Sequence, residues 1–310
     1  MKRFVARMLL FWSIPISIVA LWSVFVVAID RCSYLSALQL PKGCDVVVCS
    51  DSHTQNGLDP AFMPRLYNFS SAASLPDQNL LRLEDILVGN PGKVRIVLID
   101  VTPLHVGFDE RQTPLSEAGA ARVHALLHVY HWRETERPWG NVPMLFRDVM
   151  LDRKFNELRK ALRKKRRLRS SLAGGFYAVK SAGFVDAPGK AADDVSKKAQ
   201  RINACPKLKQ SDRIVEILEK SIDVTRSFGA EPVFITTPLS TQLRKALDPE
   251  KSEAFIKVVT AFAATRKIPY LNYFYEDFPI GSWRDANHLN LAGAEAFTKR
   301  VAGDLEGLMR

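Results

Sequence analysis

Charge is missing from one long stretch near the start of the sequence. Residues 8–29 form a run of 22 positions without a charged side chain, and Leu, Ile, Val, Phe and Trp make up most of them. As a helix this run would be roughly 33 Å long, enough for the roughly 30 Å hydrocarbon core of a bilayer. The apolar core of a cleaved signal peptide normally has only about 7–15 residues and ends at small side chains. The run therefore favours an uncleaved membrane anchor over a signal peptide.

The basic residues beside this run predict its orientation. Three of them precede it within the first seven positions, whereas Arg31, offset by Asp30, is the only one that follows closely. Lys and Arg next to a membrane helix concentrate on the cytoplasmic side. We therefore expect a single-pass protein of the cell membrane, with a cytoplasmic tip and anchor in residues 1–30, a tether in residues 31–43, and a periplasmic or extracellular domain after it.

Cysteine is scarce, with 4 residues in 310. This number fits an oxidising compartment without defining one. Cys44 and Cys49 bracket the first predicted strand, and an extended chain holds them roughly 16 Å apart, beyond the reach of a disulfide. The pairs Cys32–Cys44 and Cys44–Cys205 stay open, and Cys49 is predicted to be a buried free thiol.

Acidic residues are nearly absent from residues 153–169. This segment holds ten Lys or Arg and only Glu157 against them, so it carries +9 of the net charge of +11. Phe155, Leu158 and Leu162 form an apolar stripe, which predicts an amphipathic basic helix. Nucleic acid would be the first partner to consider, but a domain outside the cytoplasm excludes it. Anionic lipid headgroups or an anionic glycan remain, beside a solvated face or an assembly contact.

The remaining sequence alternates between short apolar strands and amphipathic helices. This alternation predicts an α/β domain, residues 44–310, built on a parallel, doubly wound, flavodoxin-like three-layer sheet. Residues 104–210 break the rhythm and are predicted to be a helical insertion, with a soft Gly/Ala/Lys/Asp stretch at 174–198. The predicted strands are 45–49, 66–69, 94–101, 232–236 and 270–274. The predicted helices are 75–88, 211–228, 249–265 and 291–309.

Two short segments far apart in the chain carry the chemistry. Residues 50–54 (Ser-Asp-Ser-His-Thr) follow the first strand, and residues 285–289 (Asp-Ala-Asn-His-Leu) precede the last helix. A serine hydroxyl needs a base to become a nucleophile, and histidine oriented by a carboxylate supplies one. We predict a catalytic triad of Ser52, His288 and Asp285. Ser50, in the same turn, is the alternative nucleophile.

These segments resemble those of the SGNH (GDSL-like) hydrolases. Asp51-Ser52 stands where that family has Gly-Asp-Ser, and Asp285 with His288 matches its terminal Asp-x-x-His. The chain is similar in organisation to the membrane-anchored branch of this family, whose members act on acyl groups of bacterial envelope polysaccharides. The resemblance implies an SGNH-type sheet, an acyl-serine intermediate, an acylated glycan substrate at the bacterial membrane and a membrane-bound O-acyltransferase as a candidate partner. It implies no cofactor.

The resemblance is weakest where the family forms its oxyanion hole. Ser50 replaces the first glycine, residues 67–70 lack the second-block glycine, and Asp100-Val101-Thr102-Pro103 stands in place of a Gly-x-Asn-Asp block. Backbone N–H groups at Ser52 and near Ser70 are then the natural donors, and Asn68 or Thr102 could add a side-chain donor. A polar turn is the alternative interpretation of residues 68–71.

Three further features stand near these motifs or share their residue types. His53 follows the predicted nucleophile and would either bind substrate or only pack, and Trp283 would line the pocket. His124, His128 and His131 share one helical face, but no acidic or cysteine partner completes a metal site, so we predict no metal.

The sequence thus predicts an extracytoplasmic serine esterase or O-acyltransferase that acts on acyl esters of an envelope or secreted polysaccharide. The alternative is a non-catalytic SGNH-fold binding component of a polysaccharide modification or export complex. Phospholipid hydrolysis is a third hypothesis, which only the anchor suggests.

Overall fold

A computed structural model describes residues 38–72, 74, 76–103, 175–180, 183–204 and 213–308, along with the single positions 13, 17, 21 and 36. Most of the predicted anchor and tether, the basic segment 153–169, the three clustered histidines, Cys32 and Cys205 lie outside these residues. Within the described ranges, no helix has both the length and the apolar character needed to cross a membrane.

The described part of the chain is organised around one parallel sheet of five strands, in the order β2-β1-β3-β4-β5. This is the flavodoxin-like order, in which the chain reverses direction across the sheet between β1 and β3. The prediction of a flavodoxin-like α/β fold is confirmed. The strands are β1 (Val46–Val48), β2 (Leu66–Asn68), β3 (Ile96–Asp100), β4 (Glu231–Thr236) and β5 (Tyr270–Asn272).

Helices connect the strands and cover the sheet. Among the described residues they are α1 (Ser52–Gly57), α2 (Pro76–Gly89), α3 (Gly183–Asp186), α4 (Pro188–Asn203), α5 (Arg213–Ser227), α6 (Thr241–Ala246), α7 (Pro249–Arg266) and α8 (Leu291–Leu308). Two 3₁₀ turns accompany them, at Pro60–Phe62 and Ile280–Ser282.

The central strands are buried on both faces, as strands of a covered parallel sheet must be. Every residue of β1 and β3 is buried, and Val47 and Ile235 are fully inaccessible to solvent. The continuous apolar centres of these strands are therefore what the sheet requires, since helices on both sides leave no polar face.

Local signals set the limits of the helices. The carboxylate of Asp248 accepts from the N–H groups of Glu250 and Lys251, and Pro249 occupies the first turn of α7. Side-chain caps and an N-terminal proline both favour a helix start. The helix ends at Arg266, and the capping residue Lys267 has a left-handed φ of 55°, a common way to terminate a helix.

The same kind of cap positions the candidate nucleophile. β1 ends at Val48, and the carboxylate of Asp51 accepts from the N–H of His53 at 2.8 Å. This cap starts α1 at Ser52, so the hydroxyl stands at the carboxyl edge of the sheet. Ser52 is half-buried, whereas its neighbours Asp51 and His53 are buried.

Part of the range predicted as an insertion belongs to the core. Residues 183–204 form α3 and α4, and Ala191, Ala199 and Ile202 of α4 join the main hydrophobic cluster. Residues 174–198, which are rich in Gly, Ala, Lys and Asp, therefore include a helix that their composition does not indicate. Its buried face is made mostly of small residues, and Lys, Asp and Ala dominate the rest, so few large apolar side chains indicate its place in the core.

The two described cysteines are free thiols. Cys49 is buried as predicted, with Sγ 3.5 Å from the carbonyl oxygen of Asn79, and burial raises its pKa. Cys44 is a free thiol as well, and its candidate partners Cys32 and Cys205 lie outside the described residues. Its Sγ lies 3.5 Å from the carbonyl oxygen of Pro64.

Candidate active site

The structure brings Ser52, His288 and Asp285 together. Nε2 of His288 lies 2.7 Å from Oγ of Ser52, and Nδ1 of His288 lies 2.8 and 2.9 Å from the two carboxylate oxygens of Asp285. Ser52 begins α1 beyond β1, and the other two precede α8. The contacts leave Nδ1 as the protonated nitrogen, so Nε2 accepts the hydrogen bond from the serine hydroxyl.

A tight local turn fixes the carboxylate of Asp285. Its Oδ1 accepts from the N–H groups of Asn287 at 3.1 Å and His288 at 3.0 Å. Aspartate commonly stabilises turns by binding nearby backbone N–H groups in this way. An antiparallel bridge between Trp283 and Leu289 closes the base of the turn. The Asp-x-x-His spacing thus lets one carboxylate hold the backbone of its loop and orient the imidazole.

Burial and charge both act on this pair. Burial raises the pKa of Asp285, but the hydrogen bond and charge of His288 and the charge of Lys198 outweigh it and hold that pKa well below its usual range. Burial lowers the pKa of His288, and the charges of His53 and Lys198 lower it further, against the hydrogen bond to Asp285, which raises it. At neutral pH the pair is a carboxylate and a neutral imidazole, the state that a general base requires.

His53 forms a second Asp–His pair beside the first. Its Nδ1 lies 2.9 Å from a carboxylate oxygen of Asp51, and its Nε2 lies 2.7 Å from Nδ2 of Asn287. The ring stacks on that of His288, with centroids 4.9 Å apart and an angle of 17° between the planes. His53 is only 5% exposed. The residue therefore supports the His288 ring from within the protein and does not face substrate.

Asn68 and Ser70 lie close to the site, but their polar groups are already used. Nδ2 of Asn68 donates to the carbonyl oxygens of Thr54 and Leu58, both at 2.8 Å, and its Oδ1 accepts from the N–H of Ser70 at 2.9 Å. Oγ of Ser70 accepts from the N–H of Ser50 and the hydroxyl of Thr54. Both N–H donors of the Asn68 amide and the backbone N–H of Ser70 are thus used within the protein, and the Ser70 hydroxyl is completely buried. The interpretation as a structural polar turn describes this segment better.

Thr102 has the free donor that Asn68 lacks. It follows β3, and β1 pairs with β3 so that Val48 is level with Leu98. Thr102 and Ser52 thus both follow the carboxyl ends of neighbouring strands, and the hydrogen bond from the Ser50 hydroxyl to Asp100 Oδ2 shows that the two chain segments stay close beyond those ends. The Thr102 side chain is buried, and its hydroxyl has no hydrogen-bond partner among the described residues. A buried hydroxyl without a partner is costly and is expected where a site awaits a ligand.

Ser50 and Trp283 have structural roles. The hydroxyl of Ser50 donates to Oδ2 of Asp100 at 2.9 Å, and the residue is 1% exposed, so it offers no accessible nucleophile. Trp283 is also 1% exposed and packs edge-on against Phe278. The indole therefore belongs to the core below the site and does not line a pocket.

Sequence reasoning missed a lysine and an aspartate of α4. Nζ of Lys198 lies 2.7 Å from Oδ1 of Asp285 and 2.9 Å from Oδ2 of Asp194. The same Oδ2 of Asp194 accepts from the N–H of Ala286 at 2.9 Å. The i, i+4 spacing of Asp194 and Lys198 indicates a helical ion pair, but nothing in the sequence connects that pair with Asp285.

No described residues suggest a metal centre. In the described ranges, no three His, Cys, Asp or Glu side chains are grouped so that they could hold a metal ion. The cluster of His124, His128 and His131 lies outside those ranges.

Comparisons with known proteins add little to this geometry. No protein-family model matches the chain, and no curated protein matches it in sequence. Among solved structures, it is similar to a Bacteroides fragilis protein provisionally classed as an acylhydrolase, with 12% sequence identity and a TM-score of 0.43 over 89% of this chain and 94% of that one. A likeness this low carries no conclusion about activity.

Proposed function

We propose that this protein is a serine esterase or O-acyltransferase of SGNH type, which acts on acyl esters through an acyl-Ser52 intermediate. The observation that carries the proposal is the continuous chain of contacts from Ser52 Oγ through His288 to Asp285, each link at 2.7–2.9 Å. Isolated Asp-Ser and Asp-x-x-His patterns are common turn sequences. Their meeting at the carboxyl edge of β1, where doubly wound sheets bind ligands, is what favours catalysis.

The first half of the reaction forms the acyl-enzyme. As Ser52 Oγ attacks the ester carbonyl carbon, His288 Nε2 takes the hydroxyl proton, and Asp285 stabilises the resulting imidazolium. The carbonyl oxygen becomes an oxyanion. When that intermediate collapses, His288 returns the proton to the departing alcohol oxygen, and the acyl group stays on Ser52.

The oxyanion needs donors that are in place before it forms. The backbone N–H of Ser52 is one, because the first N–H groups of a helix have no partner within it. The hydroxyl of Thr102 is the other, because Thr102 follows β3, the strand next to β1, and its hydroxyl has no partner among the described residues. Thr102 would thus supply a side-chain donor at the end of β3, where the SGNH hydrolases that the chain resembles have their Gly-x-Asn-Asp block.

Thr102→Val should separate activity from stability. Removing a buried hydroxyl that has no partner among the described residues should leave the free energy of unfolding unchanged or slightly increased. Losing an oxyanion donor should lower kcat by about 10- to 100-fold, which is at or below the loss usually caused by removing such a donor. Chemical denaturation and ester turnover measure the two effects. Thr237→Val is the matched control, since that buried hydroxyl also has no partner among the described residues and lies one strand further from Ser52. Equal losses of activity in both variants would remove Thr102 from the oxyanion hole.

The second half of the reaction transfers the acyl group. Water as acceptor gives hydrolysis, and a sugar hydroxyl gives transfer. His288 takes the acceptor's proton as its oxygen attacks the acyl carbon, and it returns that proton to Ser52 Oγ when the bond between Oγ and the acyl group breaks. We propose an acylated envelope or secreted polysaccharide as the substrate and a domain outside the cytoplasm. The support is the charge-free run 8–29, the basic residues before it and the resemblance of the triad segments to membrane-anchored SGNH proteins. In the case of transfer, we propose a membrane-bound O-acyltransferase as a candidate partner.

Covalent labelling tests the nucleophile without knowledge of the natural substrate. A fluorophosphonate probe should modify the purified chain, and peptide mass spectrometry should place the adduct on Ser52. The Ser50→Ala variant should still be labelled, and the Ser52→Ala variant should not. Labelling that survives in Ser52→Ala, or none in a folded wild-type protein, would contradict the proposed chemistry.

The same probe tests the compartment. A membrane-impermeant fluorophosphonate, applied to intact spheroplasts, reaches only a site outside the cytoplasm. We therefore expect labelling of Ser52 equal to that in lysed cells, and labelling only after lysis would refute the proposed location. Release of acyl groups from purified acylated polysaccharide would then test the substrate class.

One observation favours a non-catalytic alternative. The side-chain amide of Asn68 and the backbone N–H of Ser70 both donate within the protein and not to an oxyanion, so a binding module for glycans that keeps an inactive triad is the second candidate. Such a protein would bind acylated polysaccharide but resist the phosphonate, which distinguishes the two functions.

A further inference from the structure

A helix from the range between β3 and β4 supplies a cation to the candidate triad. Lys198, on α4, contacts Asp285 Oδ1 at 2.7 Å, and its side chain is 22% exposed. Screening by solvent is therefore partial, unlike that of an ion pair on an open surface. The contact joins residues 87 positions apart, so it depends on the docking of α4 and is no accident of local sequence.

The position of Asp285 does not depend on this lysine. Its Oδ1 already accepts from two backbone N–H groups of its own turn, and Nδ1 of His288 completes its set of partners. Lys198 adds little to geometry that is already fixed. What it adds is a positive charge next to the carboxylate that stabilises the His288 imidazolium.

We propose that Lys198 acts on His288 by its charge, through its contact with Asp285, and that this charge extends toward acid the pH range in which His288 can accept the Ser52 proton. The inference deepens the proposed function and rests on it for its effect on turnover.

Two effects of the Lys198 charge both make it harder to protonate His288. The ammonium repels a proton on the nearby imidazole, and it neutralises part of the carboxylate charge that would otherwise attract that proton. Burial is the largest cause of the lowered pKa of His288, and Lys198 adds to it. A base that stays neutral at lower pH keeps working there, because only the neutral imidazole can take the proton.

Other charged groups face Asp285 and His288, and they limit the effect of the Lys198 charge on the protonation of His288. Arg284 Nε lies 3.6 Å from Asp285 Oδ2, but its side chain is 40% exposed and more strongly screened. The groups on neighbouring elements are Asp194 of α4, which shares Lys198, and Asp51 with His53 at the start of α1. All of these remain when Lys198 alone is changed.

Lys198→Met in the full-length chain tests the inference through the pH profile of kcat/KM. The acid limb should move to higher pH. On that limb kcat/KM of the variant, relative to wild type, should be about three- to tenfold lower than the same ratio on the plateau, as expected for loss of a charge in a partly screened site. The plateau should change by less than about twofold, because Asp285 keeps its other partners. Lys198→Arg should restore the wild-type limb. Lys197→Met, on the exposed side of α4, is the matched control and should follow wild type.

Histidine NMR gives an answer that does not require turnover. The chain has 6 histidines, and a His288→Gln variant assigns the signal of His288. Its titration should move to higher pH in Lys198→Met and stay in place in Lys197→Met. Unchanged titration would overturn the inference. If the titration moves but no ester is turned over by wild type, the electrostatic role stands and the proposed function fails.

Discussion

Replacing His288 with Gln is expected to lower kcat/KM for an activated ester by at least about a thousandfold, within the range seen when a triad base is removed. Ser52 Oγ would lose the acceptor 2.7 Å away, and glutamine cannot take a proton at neutral pH. The stack with His53 would also be lost, so the fold must be checked by circular dichroism and thermal melting.

The double variant Ser52→Ala/His288→Gln shows whether the two residues act as one unit. Because a base without a nucleophile does nothing, the double change should cost no more than the larger single change. Losses that multiply would mean that the residues contribute independently, and the proposed triad would then be wrong.

Gly183→Ala should damage both stability and activity. A Cβ at this position of α3 would lie 1.8 Å from the carbonyl oxygen of Arg284 and 2.9 Å from its carbonyl carbon. Neither backbone atom can swing aside as a side chain can. We expect a loss of about 1–3 kcal/mol in the free energy of unfolding, as for other overpacked sites. Since Arg284 precedes Asp285, displacement of the turn by about 1 Å could cost about a hundredfold in kcat.

Gly189→Ala is the matched control, because a Cβ there meets nothing within 4 Å. It lies in the first turn of α4, where alanine should be neutral or stabilising by up to about 1 kcal/mol. Denaturant titration and ester turnover of both variants are the measurements. Similar behaviour of Gly183→Ala and Gly189→Ala would mean that α3 and the Asp285 turn are not in close contact.

The fold could be predicted from sequence because its signals are local. Continuous apolar runs define β3 and β4, and Asp248 with Pro249 defines the start of α7. α4 was missed because its buried positions include Ala191 and Ala199. Its helical periodicity is clear, but Lys, Asp and Ala dominate its composition and few large apolar residues indicate that one face joins the core.

The residues of the candidate site also fall into those that the sequence could predict and those that it could not. Ser52, Asp285 and His288 were named because their residue types and their places after a strand and before a helix have a chemical meaning. The neighbours were harder, since a polar side chain near a site can face substrate or satisfy the backbone. Asn68 does the latter. The contact of Lys198 with Asp285 depends on how α4 docks, which no local pattern specifies.

The long stretch of sequence between Ser52 and His288 determines when the chain can become reactive during its synthesis. They are 236 positions apart in the chain, so a nascent polypeptide presents the serine long before the histidine exists. A hydroxyl without its base is a weak nucleophile. On the proposed function, the growing chain would pass through its environment without attacking the esters around it. Reactivity would begin only when the segment before α8 docks against α1, which makes completion of the fold the step that switches the chemistry on.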